Sequence, residues 1–144
     1  MNPNKPRTPV WRPISYLLIV FDLFGVQLEE AQALHDKLVS CRPHPHVLDE
    51  ATLARIRQMY TEQRDFLPVQ REQFKRWQSE VSTPEQRDML AHLTARADQL
   101  SALQDQILAL VDELSQGTIN QIMGMSDAEL AAAVLLGHIK PPKR

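Results

Sequence analysis

Glycine is scarce, with four residues in a chain of 144. So few permissive positions argue against a turn-rich all-β fold, a glycine-rich phosphate loop and a nucleotide-binding βαβ unit. Cysteine is scarcer still. The single Cys41 excludes an internal disulfide framework and a four-cysteine zinc site. Net charge is nearly absent, −2 from 16 basic and 18 acidic side chains, so no global field draws the chain to nucleic acid. Long hydrophobic runs are missing too. The best stretch, residues 14–26, is shorter than the ~20 residues of a membrane span. There is no elbow-type serine, no Glu-x-x-His ligand pair and no carboxylate pair outside solvated stripes, so the expectation is a non-catalytic protein with no cofactor.

What is present fits one ordinary soluble domain: 43% apolar and 24% charged residues at a length that can bury a core. Charge is uneven along it. Lys5, Arg7 and Arg12 stand in the first 13 residues and Lys140, Lys143 and Arg144 in the last seven, with no acid in either stretch. The body therefore holds every acid, and the two ends are basic. Pro3, Pro6, Pro9 and Pro13 forbid a helix interior at the start and favour an extended arm over 1–13. A helical domain is expected over 14–137, and a loose basic tail over 138–144. A signal-peptide reading (basic start, apolar run, Ala31-Gln32-Ala33) is opposed by Asp22 inside the run and by Glu29-Glu30 before the supposed cut. An interfacial anchor through Trp11 and Tyr16 is the other membrane reading. A cytoplasmic protein is expected.

Heptads carry the fold. In the first pattern, 14–41, Leu17, Phe24, Ala31 and Leu38 interleave with Phe21, Leu28 and His35 on one helical stripe. Arg42-Pro43-His44-Pro45-His46 then breaks the chain. The second pattern, 48–82, runs Leu53, Tyr60, Leu67, Phe74, Val81 beside Ile56, Gln63, Gln70, Trp77. It keeps register across Pro68, which predicts one kinked helix rather than two. Thr83, Pro84 and Gln86 form a start signal with a capping box. The third helix follows on Leu93, Leu100, Ile107, Leu114 with Met89, Leu103 and Leu110, and Gly117 predicts its end. Ser126 to Glu129 is a second capping box, opening a short helix over 127–136. Short connections make neighbours antiparallel. The fold expected is all-α: an antiparallel bundle of three long helices plus one or two short C-terminal helices. Folding helices two and three about the 82/83 turn places Gln70 opposite Arg96, a polar layer that would fix register, and leaves Gln63 facing Leu103.

Three constellations point to function. The first is surplus apolar surface. The bundle needs one stripe of helix one, yet Leu18, Ile19, Val20 and Leu23 lie off it. They must be covered by the C-terminal helices, by a second copy or by another protein. Ile122, Met123 and Met125 add an adaptable apolar segment. The second is a row of cations, Arg57, Arg64 and Arg71, with a matching acid row Asp98, Asp105 and Asp112. Such rows are ordinarily interhelical pairs beside a seam, but a cation row could also follow a polyanion. The third is Cys41, His44 and His46, whose thiol and imidazoles suit zinc or copper, although prolines between them do not obviously converge the ligands. The leading expectation is a protein-protein interaction module that self-associates through helix one. The alternative is a polyanion-binding regulator.

Overall fold

The computed structural model describes the backbone of residues 8–123 and side chains through Gly117. Three long helices make up most of the described residues: α1 Leu17–Ser40, α2 Glu50–Gln78 and α3 Pro84–Met123. Short 3₁₀ turns at Ile14–Tyr16 and Pro45–Val47 precede α1 and α2. Each boundary has a local cause. Asp49 caps α2, its carboxylate accepting from the Thr52 amide at 2.7 Å. At α3 the Gln86 amide donates to the Thr83 hydroxyl at 3.1 Å. The Gln86 side chain reaches back one residue further than expected, to the Ser82 amide at 2.8 Å. The first bond satisfies a donor that a helix start otherwise leaves open, and the second ties the residue before the cap to the first turn.

One row of each expected seam is buried, while Phe21, Leu28 and His35 on α1 and Ile56, Gln63 and Gln70 on α2 are half-buried beside it. Leu17, Phe24, Ala31 and Leu38 from α1 meet Leu53, Tyr60, Leu67, Phe74 and Trp77 from α2 and Leu93, Leu100, Ile107 and Leu114 from α3. α3 buries a row that the heptad reading left out: Leu90, Ala97, Gln104 and Val111. The reason is its position. α1 and α2 each pack along α3 and touch one another far less, so α3 is enclosed on two sides and needs a wider apolar arc. Where α1 and α2 do meet, Phe24 and Phe74 bridge them edge to face with ring centroids 5.5 Å apart.

Four expectations are corrected. α2 ends at Gln78 rather than near 82; as expected, it is one helix across Pro68, which lies on its exposed side. α3 does not stop at Gly117. It continues to Met123, and Gly117 instead gives room for the connection after α1: a Cβ there would lie 3.1 Å from the Pro45 ring. Arg96 does not face Gln70. It turns to α1, where Nη1 donates to the Phe21 carbonyl at 2.7 Å and the guanidinium sits 3.7 Å from the Phe21 ring centroid. Gly25 makes that close approach possible, because a Cβ would come within 2.8 Å of Arg96 Nη1. Gln63, expected to face only Leu103, accepts a long 3.4 Å bond from the Gln104 side chain. The short helix expected over 127–136, with Met125, lies outside the described residues.

Candidate partner-binding site

Helical spacing sorts the surplus residues of α1, together with Tyr16, which ends the turn leading into it. Tyr16, Ile19, Leu23 and Val26 recur at steps of three, four and three, so they form a second seam along one line of the helix. All four are open to solvent: Tyr16 is 39% exposed, Ile19 57%, Leu23 56% and Val26 52%. Leu18 is also exposed, but it points about 100° round the helix from Ile19 and stands apart from that line. Val20 turns the other way. It is half-buried against the core, so it belongs to the α1–α2 junction and not to the exposed seam. Ile122 and Met123 lie in the last turn of α3, past the residues whose side chains are described.

Beside the seam, α1 and α2 leave an open cleft of about 530 Å³. Val20 lines it from α1, Phe66 and Val69 from α2, and Pro9 and Val10 from the arm. Phe66 and Met59, one heptad apart on α2, remain exposed. The cleft has a fixed end. Trp77 is fully buried, and its indole N–H must find an acceptor. It donates to the Arg12 carbonyl at 2.9 Å. Gln73 grips the same residue on both sides, accepting from the Arg12 amide at 2.7 Å and donating to its carbonyl at 3.1 Å. Arg76 lies over the Trp11 ring at 4.2 Å. The arm is thus strapped across the end of the bundle, and the Arg12 side chain is left exposed near Tyr16.

The cation row meets its acid row. Arg57 pairs with Asp112 at 2.9 Å, Arg64 with Asp105 at 3.8 Å and Arg71 with Asp98 at 2.9 Å. α2 and α3 run antiparallel, so seven residues down one match seven residues up the other. Every arginine of the row has a carboxylate beside it, which cancels most of the field a polyanion would feel. Arg42, in the turn after α1, makes a further pair with Glu113 of α3 at 3.1 Å.

The Cys41, His44 and His46 cluster is not drawn together as a ligand set. Cys41 is buried, while the two imidazoles meet edge to face at 6.1 Å. No group of three or more His, Cys, Asp or Glu side chains suited to a metal ion occurs among the described residues. His35 lies against the neighbouring Asp36 carboxylate at 3.3 Å. Burial raises the Tyr60 phenol above its usual value, and the negative charge of Glu30 adds to the shift. Among the described residues no helix is long and apolar enough to cross a membrane.

No family model matches the sequence, and neither a characterised protein nor a solved structure matches it. The surface therefore has to be read from its own residues. The sequence pointed to Ile19 and Leu23. It held the signal for Tyr16 and Val26 as well, in the three-four-three spacing. Phe66, Met59 and the Gln73–Trp77 grip on Arg12 carried no such signal, because they depend on how far apart α1 and α2 stand.

Proposed function

We propose that the protein is a non-catalytic helical-bundle interaction module that binds a protein partner, in the first instance a second copy of itself, through the outer face of α1. One observation carries this reading. α1 already buries a complete heptad row, yet a second row at seam spacing lies more than a third exposed along its first three turns. Apolar side chains set singly on a surface need no explanation, but a line of them at knob-into-hole spacing offers a coiled-coil contact. The open α1–α2 cleft widens the same face.

The test is the solution mass by light scattering, with and without Ile19→Glu and Leu23→Glu together. The parent is expected to associate and the variant to be monomeric, with unchanged helicity by circular dichroism. Loss of helicity in the variant would make this face part of the core and end the reading. A polyanion-binding role through Arg57, Arg64 and Arg71 is less well supported, since three carboxylates would have to be displaced. It predicts retardation of a DNA or RNA probe at low salt that fades steeply as salt rises.

A further inference from the structure

The occupant of the α1 seam can be argued further, and the argument rests on the interaction reading above. The short helix that the sequence predicts over 127–136 falls short of it. α1 and α3 run in the same direction, with Arg96 at the level of Phe21 and Gly25 and Glu113 at the level of Arg42. Val26 therefore lies near the level of Ala97, and from there α3 runs about 39 Å to Met123 at ~1.5 Å per residue. The helix that the sequence predicts over 127–136 is ~15 Å long, and three connecting residues add ~10 Å. Folded back along the bundle, it would end well below Val26, and the segment 138–144 that follows is polar and proline-bearing, with Ile139 its one large apolar side chain. Residues 1–7 carry prolines and polar side chains with one methionine, which is no match for an apolar seam.

The seam matches itself. Its three-four-three spacing reads the same in both directions, which is what an isologous contact about a two-fold axis requires. Set antiparallel, Ile19 faces the partner's Leu23 and Tyr16 faces the partner's Val26. Before Ile14 the chain is not helical, but the Arg12 guanidinium lies 5.5 Å from the Tyr16 ring, at the end of the seam where the partner's Glu30 would come, and symmetry repeats the pair at the other end. A slip of one layer breaks this in either direction: one way sets Glu30 against Tyr16, the other sets Arg12 against Val26. Arg12 is also held ready, since Gln73 and Trp77 fix its main chain through three hydrogen bonds while its side chain is exposed.

We propose that α1 pairs antiparallel with α1 of a second copy, with Tyr16, Ile19, Leu23 and Val26 as the apolar layers and Arg12–Glu30 ion pairs closing both ends. The contact spans about three helical turns and is smaller than the ~800 Å² per partner of a standard interface, so the dimer should be concentration-dependent.

The experiment measures mass against concentration and label separation in the dimer. Spin labels at Asp36→Cys, with the buried Cys41 replaced by Ala, should stand about 45 Å apart if the axis passes level with Phe21, at ~1.5 Å per residue. Labels at Asp22→Cys should approach within about 15 Å, because they lie almost on the axis. Arg12→Glu and Glu30→Arg should each raise the dissociation constant several-fold, and the two together should restore it, as befits an exposed ion pair. A protein that stays monomeric up to ~1 mM, a concentration that detects even weak pairing, overturns the proposal and leaves the α1 face for a different partner. A dimer lost in Ile19→Glu with Leu23→Glu, but with Asp36 labels closer than about 20 Å, overturns the antiparallel arrangement alone. A dimer that survives that double substitution overturns the interaction reading itself.

Discussion

The two long flanks of the bundle follow the same seven-residue rhythm and end in opposite states. Along α2 and α3 every charge of the row has its opposite: Arg57, Arg64 and Arg71 lie beside Asp112, Asp105 and Asp98, and Gln63 meets Gln104 inside them. Along the outer side of α1 the same periodicity leaves Tyr16, Ile19, Leu23 and Val26 facing solvent. The first flank is complete within one chain. The second repeats the design of a seam without its other half. Periodicity alone therefore does not tell a closed contact from an open one. The partner rows do, and only the α2–α3 flank has them in the same chain.

The largest expected effect comes from the junction between the flanks. Trp77 is fully buried, stacks with Phe74 and holds the Arg12 carbonyl. Trp77→Ala should cost about 3–5 kcal/mol in denaturant unfolding and release the arm. Next comes Ile19→Glu with Leu23→Glu, which should weaken association at least tenfold while moving unfolding by less than about 0.5 kcal/mol, the ordinary range for exposed positions. A change of several kcal/mol in unfolding would erase the contrast between the flanks.

Smaller effects sharpen the closed flank. Gln104 is 1% exposed and its Oε1 has no hydrogen-bond partner among the described residues. Gln104→Leu should raise the unfolding free energy by about 1 kcal/mol, because an unmet buried acceptor costs more than a leucine in its place. A loss of stability on this substitution would show that the Gln63–Gln104 layer contributes more than its geometry indicates. Changing Asp98, Asp105 and Asp112 to Asn together should cost about 1–2 kcal/mol at low salt and less at high salt, since each pair is partly exposed and screened.

The smallest effect is in pH. Burial first and Glu30 second hold the Tyr60 phenol above 10.0, so it resists ionisation in the folded state. Stability from this difference is intact below pH 10.0 and is lost as pH rises above it, because the unfolded phenol gives up its proton first. Tyr60→Phe should therefore lose less stability than the parent above that pH, and the two profiles should run parallel below it.

Particular residues show where sequence reading ends. Leu53, Tyr60, Leu67 and Phe74 could be placed in the core from spacing, because burial on a helix follows its 3.6-residue turn. Gly117 looked like a helix end, yet it is a contact point for Pro45, and nothing local separates those roles. Arg96 interrupts an apolar row in the sequence, but its choice of the Phe21 carbonyl over Gln70 depends on which helix lies nearer. Val20 and Leu23 read alike as surplus. Only the side on which α2 packs makes one half-buried and leaves the other open.

By itself the sequence determined that the chain is helical, where its three helices begin, which rows form the seams and that α1 carries more apolar surface than one seam uses. These follow from local terms: dihedral preference, capping and periodicity. The tertiary structure decided that α3 lies between α1 and α2, that the cation row is paired, that the arm is strapped by Gln73 and Trp77, and that the second row of α1 stays bare. Those outcomes depend on the distances between helices, which are set by packing side chains from three elements at once and are written in no single stretch of chain.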